Sequence, residues 1–438
     1  MSMERLNAMN GRLCNCGKVH SFDAKIVTGS GAVEKIPEFV KEFNGKKVFV
    51  LSDKNTFSAA GARVCGILAD NGIAYVSYSF PEGALEPDEK SVGSAVMHYD
   101  ASCDLILAVG SGVINDIGKI LSAVSAKPYI IVGTAPSMDG YASATSSMTR
   151  DGLKISLPSR GADVIIGDTD ILRQAPLKMM KAGLGDMLAK YVSICEWRMA
   201  KIIAGEYYCE EIASLIRSAV RRCVENAEGL LRREEAAVQA VFEGLVIGGV
   251  AMNYAGLSRP ASGVEHYISH VLDMRGAEFG TPVELHGIQC AVGTQIAVQL
   301  YEKMKTITPD KEKALAFVRS FCYENWCAQL RKLLGKGAES MIALEAKEKK
   351  YDVALHEKRL EVILQNWEEL LKIMEEELPQ FLQLENLLDK MEMPKTLSEI
   401  GTDDGLLDTI FRATKDIRDK YVLSRLAWDL GALDELLK

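Results

Sequence analysis

The sequence predicts an α/β N-terminal domain, built on a parallel, Rossmann-like sheet, followed by an all-α C-terminal domain. Three observations point there. Short apolar runs rich in β-branched residues alternate with helix-like stretches up to about Asp170, which is the pattern of a parallel sheet covered by helices. From Pro176 onward nearly every segment repeats its apolar residues at helical spacing. And 438 residues exceed what one hydrophobic core usually organises.

Taken in order, the strand-like runs are "KKVFVLS", "AYVSYSF", "DLILAVG" and "PYIIVG", with "AAGARVCGILADNG" among the helical stretches between them. "ATSSMTRDGLKISLP" then places Asp151-Gly152 between two strand-like runs, a hairpin signal. The domain boundary is expected at Ala175-Pro176, giving domains 1–175 and 176–438. From about Lys303 to Lys438 the chain is charged and helical, with its charges read as the solvated faces of amphipathic helices. A cleft at the carboxyl ends of the strands is the expected ligand site.

Composition excludes several function classes. A net charge of −9 argues against nucleic acid, which calls for a basic surface. The N-terminus has no apolar signal core and no run of about 18 apolar residues is found, so neither secretion nor a membrane span is expected. The ten cysteines then read as reduced thiols of a cytoplasmic protein. "CNCGKVH", near the start, has the look of a metal knuckle but lacks a second cysteine pair, and is read as a turn or edge strand.

Two stretches carry chemistry in the first domain. "LILAVGSGVINDIGK" is a buried strand running into Gly110-Ser111-Gly112 and a helix from about Val113, where backbone N–H groups and a helix N-terminus favour a phosphate. It departs from the dinucleotide fingerprint, since Asn115 stands at the third glycine position. After the next strand, Thr134, Ser137 and Ser143 offer hydroxyls to a pyrophosphate or ribose. Asp53, just past "VFVLS", either accepts from an adenosine ribose or caps a helix.

The second domain holds a histidine cluster. Of six histidines, His266, His270 and His286 fall within one short window, and His266 and His270 share a helix face. Two histidines and a carboxylate make a common open metal site, with Glu265, Glu284 and Asp186 as the carboxylate candidates. Asp186 stands out in an otherwise apolar helix, its plainer reading being a surface pair with Lys190.

With these residues assembled, "GSGVIND", "TAPSMDGYAS", "GLGDMLAKY", "RPASGVEHYISH" and "ELHGIQCAVGT" resemble, in order and spacing, the sn-glycerol-1-phosphate dehydrogenases, AraM-type enzymes included. That group lies within the superfamily of iron-containing alcohol dehydrogenases, glycerol dehydrogenase and dehydroquinate synthase. The resemblance runs from roughly Cys16 to the C-terminus and implies a dehydroquinate synthase-like fold. It implies one divalent ion (zinc, nickel or iron) held by Asp186, His266 and His286, with Asp186 and His270 engaged in catalysis and substrate binding. It assigns Asp139 to a substrate hydroxyl. It assigns Asp53, Gly110, Gly112, Val113, Ile114, Asn115, Asp116, Thr134, Ala135, Pro136, Ser137 and Ser143 to NAD(H) or NADP(H).

The implied reaction is reversible, metal-dependent reduction of dihydroxyacetone phosphate to sn-glycerol 1-phosphate by a homo-oligomer, expected as a dimer. A phosphorylated substrate calls for a cation, for which Arg259 and Lys154 are the candidates. A glycerol or polyol dehydrogenase without phosphate requirement is the alternative, followed by dehydroquinate synthase-like lyase chemistry and by a silent scaffold of the same fold. The presence of all three ligand residues speaks against the scaffold.

Overall fold

A computed structural model describes residues 2–83, 85–150 and 153–438. Eight strands lie in the first part: Lys25–Gly29 (β1), Lys47–Asp53 (β2), Ala74–Phe80 (β3), Leu105–Gly110 (β4), Tyr129–Gly133 (β5), Thr145–Arg150 (β6), Leu153–Pro158 (β7) and Val164–Asp168 (β8). Six of them form a wholly parallel sheet in the order β1-β8-β5-β4-β2-β3. Its central strands β4, β5 and β8 are buried along their whole length. That is why they read as continuous apolar runs and not as alternating ones: helices cover both faces of such a sheet. β6 and β7 pair antiparallel, Arg150 opposite Leu153, so a hairpin is present where expected, although Asp151 and Gly152 lie outside the described residues.

The chain folds as two compact units, and the division differs from a single cut at Ala175-Pro176. Unit one comprises Met1–Met187 and Ser214–Gly256; unit two comprises Leu188–Ala213 and Leu257–Lys438. The physical reason is the long helix Glu235–Ala255, which belongs with the sheet. Gly133 ends β5 and Gly167 lies in β8, and a Cβ at either would collide with the Phe242 ring of that helix, at 2.8 and 2.2 Å. The ring occupies the space that two missing side chains leave, and helical periodicity after Pro176 therefore does not mark a new core.

Six helices position the features that follow: Ser2–Met9 (α1), Gly112–Ser125 (α2), Leu177–Leu188 (α3), Glu235–Ala255 (α4), Val264–Phe279 (α5) and His286–Met304 (α6). Contrary to the expectation from sequence, α4 is long and apolar enough to cross a membrane by length and composition, but 78% of its apolar window is buried inside the protein. It is a core helix. Among the described residues it alone passes that test. Unit two is helical throughout, with α5 and α6 packed along one another.

Candidate metal and nucleotide sites

In unit one the strand order reverses between β2 and β4: successive strands leave β2 towards β3 on one side and β4 towards β5 on the other. Open α/β sheets bind ligands outside the carboxyl ends of their strands at this switch point. A cavity of about 320 Å³ lies there, lined by Asp53 at the end of β2 and Lys54 after it, by Pro81, Glu82, Gly83 and Leu85 after β3, and by Ser111, Val113 and Ile114 after β4. The sequence-predicted ribose acid and phosphate loop thus open onto one space.

Their local roles differ from the simple expectation. Asp53 does cap a helix: its Oδ1 accepts from the Thr56 amide at 2.8 Å while Thr56 Oγ1 accepts from the Asp53 amide at 3.0 Å. The cap engages one carboxylate oxygen, so capping and cavity lining coexist. Lys54 pairs with Glu82. Gly110 is required by packing, since a Cβ there would meet Ile114 Cβ at 2.5 Å, whereas one at Gly112 would find only ordinary contact with Met138. Packing alone therefore does not require the glycine at 112.

Asn115 turns away from this space. It is wholly buried, its Nδ2 donating to Gly140 O at 2.9 Å and its Oδ1 accepting from the Tyr129 hydroxyl at 3.0 Å. With both ends engaged in tying α2 to the β5–β6 loop, its side chain serves the fold, and only its backbone belongs with the expected nucleotide loop. Asp116 pairs with the buried Lys119 at 2.7 Å.

The loop Thr134–Ser143 follows β5. The Thr134 amide donates to Gly110 O at 3.1 Å, joining the two strand ends, and Ala135 O accepts from Tyr141 at 2.7 Å. The Ser137 amide closes a tight turn onto Ala135 O at 3.1 Å, and the Ser143 hydroxyl meets Thr145 Oγ1 at 2.9 Å. α3 packs hard against this loop: a Cβ at Gly183 would lie 1.9 Å from Pro136 O. One turn later Asp186 is wholly buried and its Oδ2 accepts from the Asp139 amide at 2.9 Å. The surface-pair reading of Asp186 does not hold.

Unit two brings the histidines together. α5 and α6 put the His266 and His286 rings 5.1 Å apart, with His270 6.3 Å from His286. Donor atoms of His266, His286 and Cys290 all lie within 4.8 Å of one another. Sequence reasoning missed Cys290, although it stands four residues after His286 on the same helix and so on the same face. Burial pushes its thiol up, but the neighbouring charges of His266 and His286 outweigh burial and leave it below its ordinary value.

Both imidazoles are oriented from behind. Glu265, wholly buried, takes the His266 Nδ1 at 2.8 Å and the Gly263 amide at 2.7 Å on the same oxygen. Ser269 Oγ lies 3.2 Å from His286 Nδ1. A ligating histidine typically donates its second ring N–H to a carboxylate or another acceptor, which fixes the tautomer and leaves the other nitrogen for the ion. The donor set thus fits a borderline cation such as zinc, nickel or iron. Glu265, expected among possible ligands, sits behind the His266 ring, and Glu284 spends an oxygen on the Leu285 amide at 2.7 Å.

Arg259 is the clearest departure. It is 2% exposed, paired through Nε and Nη2 with Glu206, and its Nη1 donates to Tyr421 O at 2.8 Å. Its donors are already committed to a carboxylate and a backbone carbonyl in the interior. The expectation that it holds the substrate phosphate is set aside. The side chain of Lys154 lies outside the described residues.

Residues 27–176 match the family described as iron-containing alcohol dehydrogenase. A glycerol dehydrogenase from Schizosaccharomyces pombe superposes with a TM-score of 0.62, covering 95% of this chain and 90% of its own at 18% identity, which establishes the shared fold. At closer range, the glycerol-1-phosphate dehydrogenase (NAD(P)+) of Halalkalibacterium halodurans is 34% identical over 66% of this chain and 74% of its own. That of Methanosarcina mazei is 32% identical over 66% and 79%. The chain belongs to the glycerol-1-phosphate dehydrogenase family.

Proposed function

We propose that the chain catalyses the reversible NAD(P)(H)-linked interconversion of dihydroxyacetone phosphate and sn-glycerol 1-phosphate. The observation that carries this reading is family membership over most of a relative's length, joined to a pair of imidazoles whose second nitrogens are held from behind. When bound, the nicotinamide supplies the hydride and the divalent ion the electrophile.

The chain's own residues supply the rest. Asp186, His266 and His286 are inferred to hold the ion, Glu265 and Ser269 fixing the two rings. His270, half-buried on the helix that carries His266, is the group we assign to moving the proton at the C2 oxygen, and Asp139 the group that orients a substrate hydroxyl. Asp53 is assigned to the adenosine ribose and the open N-terminus of α2, from Gly112, to the pyrophosphate. The ten cysteines, none of them disulfide-bonded, fit a reducing, cytoplasmic setting, and a homodimer is the assembly we expect.

The test is an assay of metal-loaded protein with both nucleotides and four substrates. kcat/KM for dihydroxyacetone phosphate should exceed that for dihydroxyacetone by about a hundredfold, as two charge-assisted bonds to a phosphate would provide. sn-Glycerol 1-phosphate should be oxidised and the 3-phosphate should not. Equal turnover of unphosphorylated glycerol would replace this reading with that of a polyol dehydrogenase.

A further inference from the structure

We propose that Cys14, Cys16 and His20 form a second metal site, a zinc site in unit one that the dehydrogenase reading does not use. The segment "CNCGKVH" is a preformed turn. The Cys14 amide donates to Lys18 O and the Gly17 amide to Cys14 O, each at 2.9 Å, and Leu13 and Val19 form an antiparallel bridge across it. Gly17 takes φ 83°, the left-handed conformation that lets the chain reverse between the second cysteine and the histidine. Asn10 and Phe22 clamp the base, Asn10 Oδ1 accepting from the Phe22 amide at 2.7 Å and Asn10 Nδ2 donating to Phe22 O at 2.9 Å.

The turn converges three donors, with the Cys14 and Cys16 sulfurs and a His20 ring nitrogen all within 4.8 Å of one another. Cys14 is 6% exposed and His20 1% exposed, so these are interior groups. The histidine's tautomer follows from its surroundings. His20 Nδ1 lies 3.0 Å from the carbonyl oxygen of Tyr254, which can only accept, so Nδ1 carries the proton. Nε2 then presents its lone pair 3.3 Å from Cys16 Sγ. A tetrahedral zinc with ordinary Zn–S and Zn–N bonds has S···N edges of about 3.5 Å, so the observed separation is close to what such an ion would span.

The backing carbonyl is the arrangement expected behind a ligating imidazole, and two thiolates with one imidazole are a soft set that selects zinc among abundant divalent ions. The remaining corner is left to a donor outside this segment, water included. Since Tyr254 sits near the end of α4 and its hydroxyl donates to Leu6 O at 3.3 Å, the ion would staple the N-terminal segment onto that helix. The segment lacks a second cysteine pair, and its third ligand is the histidine at the end of the turn.

The experiment is zinc analysis of the full chain, wild type beside His286→Ala and Cys14→Ser/Cys16→Ser. One zinc equivalent should survive in His286→Ala and disappear in the double serine variant. Because misfolding alone would also cost that variant its zinc, metal-free Cys290→Ser is titrated with Co²⁺, so that any thiolate-to-cobalt charge-transfer absorption in the near ultraviolet arises away from Cys290. Its appearance at one equivalent supports the site. Absence of that absorption, or a zinc content unchanged by the two serines, overturns it. Loss of the ion at His266 and His286 would leave this result untouched, so the two sites fail separately.

Discussion

Glu265 Oε1 lies 2.8 Å from Nδ1 of its neighbour His266, a carboxylate fixing the ring that the next residue carries. In Glu265→Ala the ring loses its tautomer lock. Metal affinity should fall by about ten- to a hundredfold, the usual penalty for removing such a partner. A competition titration against a chelator of known affinity measures this, and unchanged affinity would show that His266 needs no partner.

The third ligand separates Asp186 from Cys290. Asp186→Ala and His286→Ala should each purify without the catalytic ion and without turnover, while Cys290→Ser keeps both. His270→Ala should keep the ion and lose turnover. Metal content beside kcat distinguishes all four variants; a metal-free Cys290→Ser would transfer the third position from the aspartate to the thiolate.

Arg259→Ala should act on stability and leave substrate choice alone. It strands the Tyr421 carbonyl and leaves the part-exposed Glu206 carboxylate to solvent, at a cost of about 1–3 kcal/mol. Chemical denaturation should register the loss, with the ratio of kcat/KM for dihydroxyacetone phosphate over dihydroxyacetone unchanged. A collapse of that ratio would return the arginine to the substrate.

Asp53→Ser retains the helix cap, because serine caps about as well as aspartate, while removing the charge that would repel a 2′-phosphate. The preference for NADH over NADPH should narrow without loss of thermal stability. Lys54, adjacent to Asp53 and paired with Glu82 at the surface, would blunt that preference in the wild type. An unchanged ratio of kcat/KM for the two nucleotides would place Asp53 outside the ribose pocket.

Glu196 provides a pH dependence. Burial first, and then the charge of Glu265, raise its carboxyl from the ordinary 4.5 to about 8. The folded chain therefore holds a proton that the unfolded chain has released between those values. Stability from this group is full below the unfolded value and is lost as pH rises through about 8. Denaturation midpoints of metal-free protein should fall across that interval, and Glu196→Gln should flatten the fall. A midpoint independent of pH would mean Glu196 is ionised throughout.

Much of this was legible in the sequence because it rests on local pattern. The buried strands, the α2 N-terminus at Gly112 and the His266–His286 pair all follow from runs and spacings a few residues long. What escaped depends on contacts remote in sequence. Arg259 finds Glu206, 53 residues away, and Asn115 finds Gly140, 25 away; no local motif announces either. Likewise α4 reads as one more amphipathic or apolar helix until Gly133 and Gly167 are seen to accommodate Phe242.

That ring has a consequence for how the chain comes to be folded during synthesis. Phe242 follows β8 by more than 70 residues, and those residues include Leu188–Ala213, which belong to the other unit. A nascent chain that has released all six strands of the sheet still lacks the side chain that fills the hollow over β5 and β8. The sheet therefore waits, partly uncovered, until translation has passed α4, and a fragment stopped at residue 175 should behave as an aggregation-prone intermediate.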